Sequence, residues 1–92
     1  MPPPGDIRFL AVNPDSVTLN WGSPEGLEGP KSFRVKWSSS ESDEVCTTVT
    51  DCFNIEITNL KVGTMYYFSV ATKKDDDTLS AWVNATVFTG NL

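Results

Sequence analysis

The chain contains no histidine. That removes Ser-His-Asp and Cys-His nucleophile systems and the commonest metal ligand. It has only two cysteines, Cys46 and Cys52, too few for a zinc site unless a partner contributes. Basic residues are scarce: seven Lys and Arg stand against twelve Asp and Glu, for a net charge of −5. Nucleic acid wants a basic stripe against its phosphates, and an anionic membrane surface wants a basic cluster, so neither partner is expected. No apolar run reaches the ~18 residues of a membrane-spanning helix, so no membrane insertion is expected of this stretch. Neither phosphate-loop nor dinucleotide-loop spacing occurs. The expectation is a non-enzymatic chain that holds no cofactor and no metal.

What is present reads as strands. "DIRFLAV" (6–12) alternates Ile7 and Phe9 with Asp6 and Arg8. "SVTLNW" (16–21) alternates Val17, Leu19 and Trp21 with polar residues, and "SFRVKW" (32–37) does the same with Phe33, Val35 and Trp37. A period of two half-buries a strand. "EVCTTVT" (44–50) and "NIEITNL" (54–60) repeat the pattern more weakly; "MYYFSVATK" (65–73) and "LSAWVNATVFT" (79–89) bring the strands to seven. Turn-rich segments separate them: "NPD" at 13–15, "GSPEGLEGP" at 22–30, "SSSESD" at 38–43 and "KKDDDT" at 73–78. No stretch repeats apolar residues at helical spacing. Seven short strands with regular turns predict an all-β, seven-stranded antiparallel sandwich. Residues 1–4 read as a linker or expression start, and residues 5–90 as one folded domain.

The order of motifs resembles a fibronectin type III domain from about Pro4 to Thr89. Trp21 closes the second strand and Pro24 follows shortly. Phe33, Val35 and Trp37 give the third strand an aromatic-valine-aromatic pattern. "LKVGTMY" (60–66) is similar to the family's Leu-x-Pro-Gly-Thr-x-Tyr signature, with Val62 in place of proline. The resemblance implies an immunoglobulin-like sandwich with sheets A-B-E and C′-C-F-G. It implies structural roles for Trp21, Leu60, Gly63 and Tyr66, the last as a tyrosine corner whose hydroxyl returns to the backbone upstream. Gly63 would supply a permissive backbone angle between Leu60 and Tyr66.

In that fold Cys46 and Cys52 would flank the crossing from strand C′ to strand E. A local disulfide and a pair of free thiols are both open readings. "NAT" (84–86) is a glycosylation sequon, and alternation turns Asn84 to solvent. The same alternation turns Arg34, Lys36, Tyr67, Trp82 and Phe88 outward on neighbouring strands. That mixture of aromatics and basic stems suggests either a cation–π ladder or a protein contact surface. The adjacent Tyr66 and Tyr67 then have separate tasks, one inward and one outward. The Asp75–Asp77 run reads as a solvated hairpin tip rather than a calcium loop.

The family's usual setting implies a spacer or protein-interaction unit of a larger receptor or adhesion-type protein. The expected location is extracellular or at the cell surface, with an unidentified protein partner and a monomeric isolated domain. The alternatives are a module of an intracellular scaffold or array, in which the cysteines would stay reduced, and an engineered binding scaffold on the same fold.

Overall fold

A computed structural model of the protein describes residues 1–26 and 32–90. The second half of the loop expected at 22–30 lies outside the described residues, as do residues 91 and 92. Seven strands run in chain order: β1 (Arg8–Val12), β2 (Val17–Asn20), β3 (Ser32–Ser39), β4 (Cys46–Thr50), β5 (Asn54–Ile57), β6 (Met65–Lys73) and β7 (Val83–Phe88). They form two antiparallel sheets, β1-β2-β5 and β4-β3-β6-β7. These are the two sheets expected from the motif order.

Alternation builds the core. Val17 and Leu19 from β2, Phe33 and Val35 from β3, and Phe68 and Val70 from β6 are fully buried. Trp21, Ile57, Leu60 and Tyr66 complete the cluster, with Ile7, Phe9, Trp37, Ile55 and Val87 packed around it. Aromatic pairs join the two sheets edge to face. Phe9 meets Phe68 at 5.8 Å between ring centroids, and Trp21 meets Phe33 at 5.4 Å. This geometry sets the positive ring edge against the negative face of its neighbour.

The pattern breaks where β1 carries a bulge. Phe9 pairs with Leu19, but Ala11 pairs with Thr18, so Leu10 is an extra residue. The bulge resets the alternation, which is why "FLAV" does not alternate and why Leu10 is 60% exposed. The start of the chain is tied down by Gly5, whose amide donates to the Gly22 carbonyl at 2.9 Å. A Cβ at Gly5 would stand 2.9 Å from the Gly22 Cα, so the close approach of the two backbones requires glycine at position 5.

The E–F turn is the most heavily bonded corner. The Lys61 amide donates to the Tyr66 hydroxyl at 2.8 Å. Gly63 has φ +61° and Asn59 has φ +60°, left-handed values that Gly and Asn adopt most readily. The Thr64 amide donates to Thr89 Oγ1 at 2.9 Å, and Thr89 Oγ1 donates to the Lys61 carbonyl at 2.7 Å. The end of the last strand is thus locked to the start of β6.

Replacing Tyr66 with Phe keeps the ring and removes the acceptor for the Lys61 amide. The expected cost is about 1 kcal/mol, from one lost hydrogen bond at a partly buried donor. Chemical denaturation of the variant checks this; an unchanged midpoint would remove the hydroxyl from the list of stabilising groups.

Candidate functional site

The outer face of the four-stranded sheet carries the residues expected to face solvent together. Its rows follow from register. Arg34 lies between Val49 and Ala71; Lys36 lies between Thr47 and Ser69, and Ser69 pairs onward with Asn84. Tyr67 lies between Ser38 and Thr86, and Met65 pairs with Phe88. Trp82 stands just before β7 rather than within it.

The five residues of this face behave in two ways. Lys36 Nζ sits 4.1 Å from the centroid of the Trp82 ring, within cation–π range, and Trp82 is only half-exposed. Arg34 lies flat enough that its Nε is buried without a hydrogen-bond partner. Ala71, which alternation turns outward, is nonetheless fully buried. It sits beside Arg34 and the stretch carrying Trp82, so this end of the face is covered by its own long side chains. The other end is bare. Tyr67 is 45% exposed, Phe88 49% and Met65 37%. The cause is in the rows: the cross-strand neighbours of Tyr67 are Ser38 and Thr86, both too short to cover a ring. Met65 shares the outward parity of Tyr67 on β6 and stands opposite Phe88, so it belongs to this patch.

The structure shows no bridge between Cys46 and Cys52. Both are free thiols. Cys46 opens β4 and pairs with Trp37, while Cys52 follows the end of the strand. Residues 46–50 are extended, and the chain bends at 51–53, so Cys52 lies beyond the strand that Cys46 opens. Burial, and then the Glu44 carboxylate beside it, push the Cys46 thiol above the ordinary value.

A cleft of about 380 Å³ opens at the same end of the sandwich, with Trp37, Glu44, Cys46, Leu60 and Tyr66 among its walls. Within it the Cys46 thiol donates to Glu44 Oε1 at 3.7 Å. The β6–β7 connection holds the acidic run. Lys73 Nζ pairs with Asp77 Oδ1 at 3.1 Å, and the Thr78 amide donates to Asp76 Oδ1 at 3.0 Å. The bonds from Thr78 hold the Asp76 carboxyl below the usual carboxylate range. These carboxylates are engaged within their own turn, and among the described residues no cluster of three or more potential ligands forms a metal site.

Asn84 is exposed on β7, and its Oδ1 accepts a hydrogen bond from Ser69 Oγ at 2.6 Å. Trp21, Leu60 and Tyr66 lie in the core, and Gly63 lies in the turn between Leu60 and Tyr66.

The chain matches the fibronectin type III domain family over residues 2–86 and belongs to it. Solved structures agree on the fold. A fibronectin type III domain of human collagen XX aligns with TM-score 0.83 at 21% identity, covering 97% of this chain and 92% of that one. A computationally redesigned β-sandwich protein aligns with TM-score 0.84 at 20% identity, covering 100% and 93%. A titin multidomain fragment aligns with TM-score 0.81 at 21% identity, covering 98% of this chain and 32% of that one. The chain is thus a module of a kind common in multidomain proteins, a family whose members are generally non-catalytic binding or spacer units.

The extended β4 leads to a direct test of the cysteines. Thiol titration of the denatured, unreduced protein should find two free thiols per chain. Finding none would mean that Cys46 and Cys52 are bridged in solution.

Proposed function

We propose that this domain serves as a spacer and protein-interaction unit of a larger receptor or adhesion-type protein, and that its contact surface is the bare end of the outer face, Met65, Tyr67 and Phe88. One observation carries the reading. Three large apolar side chains lie side by side on β6 and β7, each more than a third exposed, while Trp82 on the same face is capped by Lys36. Tyrosine and other aromatics are over-represented among residues that dominate binding energy, and a contiguous apolar patch on a small domain marks a contact site. Arg34, Lys36 and Trp82 then form the rim that keeps the face ordered. An extracellular or cell-surface setting is supported by the family's usual context and by the sequon at Asn84.

A second reading has one observation in its favour. Two unbridged cysteines need no oxidising compartment, which suits a module of an intracellular array.

Substitution in the intact parent protein separates contact from cover. Tyr67→Ala combined with Phe88→Ala should weaken partner binding roughly tenfold or more, the scale of a hot spot, and leave the domain's unfolding midpoint nearly unchanged. Trp82→Ala should instead lower the midpoint, by about 1 kcal/mol in stability, through loss of the Lys36 contact and of the cover over Ala71. Full binding by the Tyr67/Phe88 double variant would leave the domain a spacer only.

A further inference from the structure

The sequon and the open edge of β7 belong to one device. Among the described residues β7 pairs only with β6, so its other side is a free sheet edge. The Thr89 amide donates to the Thr64 carbonyl at 3.0 Å. In an alternating antiparallel ladder this turns the backbone groups of Val87 and Ala85 toward β6, and those of Phe88, Thr86 and Asn84 toward the free edge.

Such an edge invites another strand unless something blunts it. The other edges carry blunting features. β1 holds Arg8 and the bulge at Leu10, and β5 is four residues long and contains Glu56. β4 is flanked by Glu44 and Asp51. β7 has none of these: it is six residues long, with no charge, no proline and no register shift. No charged residue occurs anywhere from Thr78 to Leu92, although the chain as a whole carries −5. The strand is also self-complementary. Antiparallel pairing of two copies about a two-fold axis at Thr86 sets Thr86 opposite Thr86 and Asn84 opposite Phe88, with no like charges meeting.

We propose that Asn84 carries an N-linked glycan and that this glycan guards the β7 edge against pairing with a second copy of the chain. The side chain is disposed for it. Oδ1 is held by Ser69 on β6, so amide geometry turns Nδ2, the glycan-bearing atom, away from β6. A glycan there stands beside the bare edge, in the Ser69–Asn84 row next to the Tyr67–Thr86 row. It is a bulky, soluble group at the one edge that lacks a charge to do the same work.

The test compares the chain secreted from animal cells behind a cleavable leader with the same chain made in bacteria. The secreted chain should gain the mass of one N-glycan, lost in Asn84→Gln, and should sediment as a monomer. The bacterial chain and secreted Asn84→Gln should both reach about twice the monomer mass as concentration rises, with Kd below about 1 mM. Bacterial Thr86→Lys, which places two lysines face to face at the axis, should stay monomeric with its unfolding midpoint preserved. An unoccupied Asn84 overturns the proposal. So does a bacterial chain that stays monomeric, or a dimer that survives Thr86→Lys.

Discussion

The hydrogen bond from the Lys61 amide to the Tyr66 hydroxyl fixes where β6 begins, and most of the molecule follows from that. β6 is the longest strand, and it pairs with both β3 and β7. Its register therefore decides the register of three strands. Strand side chains alternate, so a slip of one residue would send Tyr67 inward and Tyr66, Phe68 and Val70 to solvent. The tyrosine corner prevents that slip by tying a side chain of β6 to the turn that precedes it. Thr89 adds a second tie from the far side of β6. Its hydroxyl bonds both Lys61 and Thr64, so the end of β7 is held by the same turn.

This corner also explains why two adjacent tyrosines differ so much in environment. Tyr66 is 7% exposed and Tyr67 is 45% exposed. The difference comes from parity alone, since both lie in the same ladder. What parity does not decide is how bare an outward ring remains. That depends on the residue opposite. Lys36 has a long stem and reaches Trp82; Ser38 has none, and Tyr67 stays open.

Much of this was legible in the sequence because period-two patterns survive wherever a strand has one wet face. The seven strands, their division into two sheets and the inward series of β2, β3 and β6 could all be read that way. Three features could not. The bulge at Leu10 leaves no pattern of its own, because an extra residue in "FLAV" looks like a run of apolar side chains. Whether "TTVT" is extended or turned was equally hidden, because threonine and valine are compatible with a strand or a short crossing; the structure makes it the strand β4. The covering of Ala71 depends on side-chain reach across neighbouring strands, which alternation alone does not encode. The role of Thr89 was hidden for a related reason, since its partners are 25 and 28 residues away in the chain.

The outer face and the β7 edge make competing demands on one strand, and the residue order reconciles them. A contact surface needs exposed apolar groups, and Phe88 supplies one at the end of β7. An open edge next to such a group raises the hazard of strand addition, because pairing would bury Phe88 as well as satisfy its backbone. A charge at position 86 would remove the hazard, but any partner seated on Tyr67, its cross-strand neighbour, would have to desolvate it. Asn84 lies four residues from Phe88, about 13 Å along an extended strand. On the proposed reading, the spacing of "NATVF" sets a hydrophilic guard near the start of the strand and leaves Phe88 at its end for a contact.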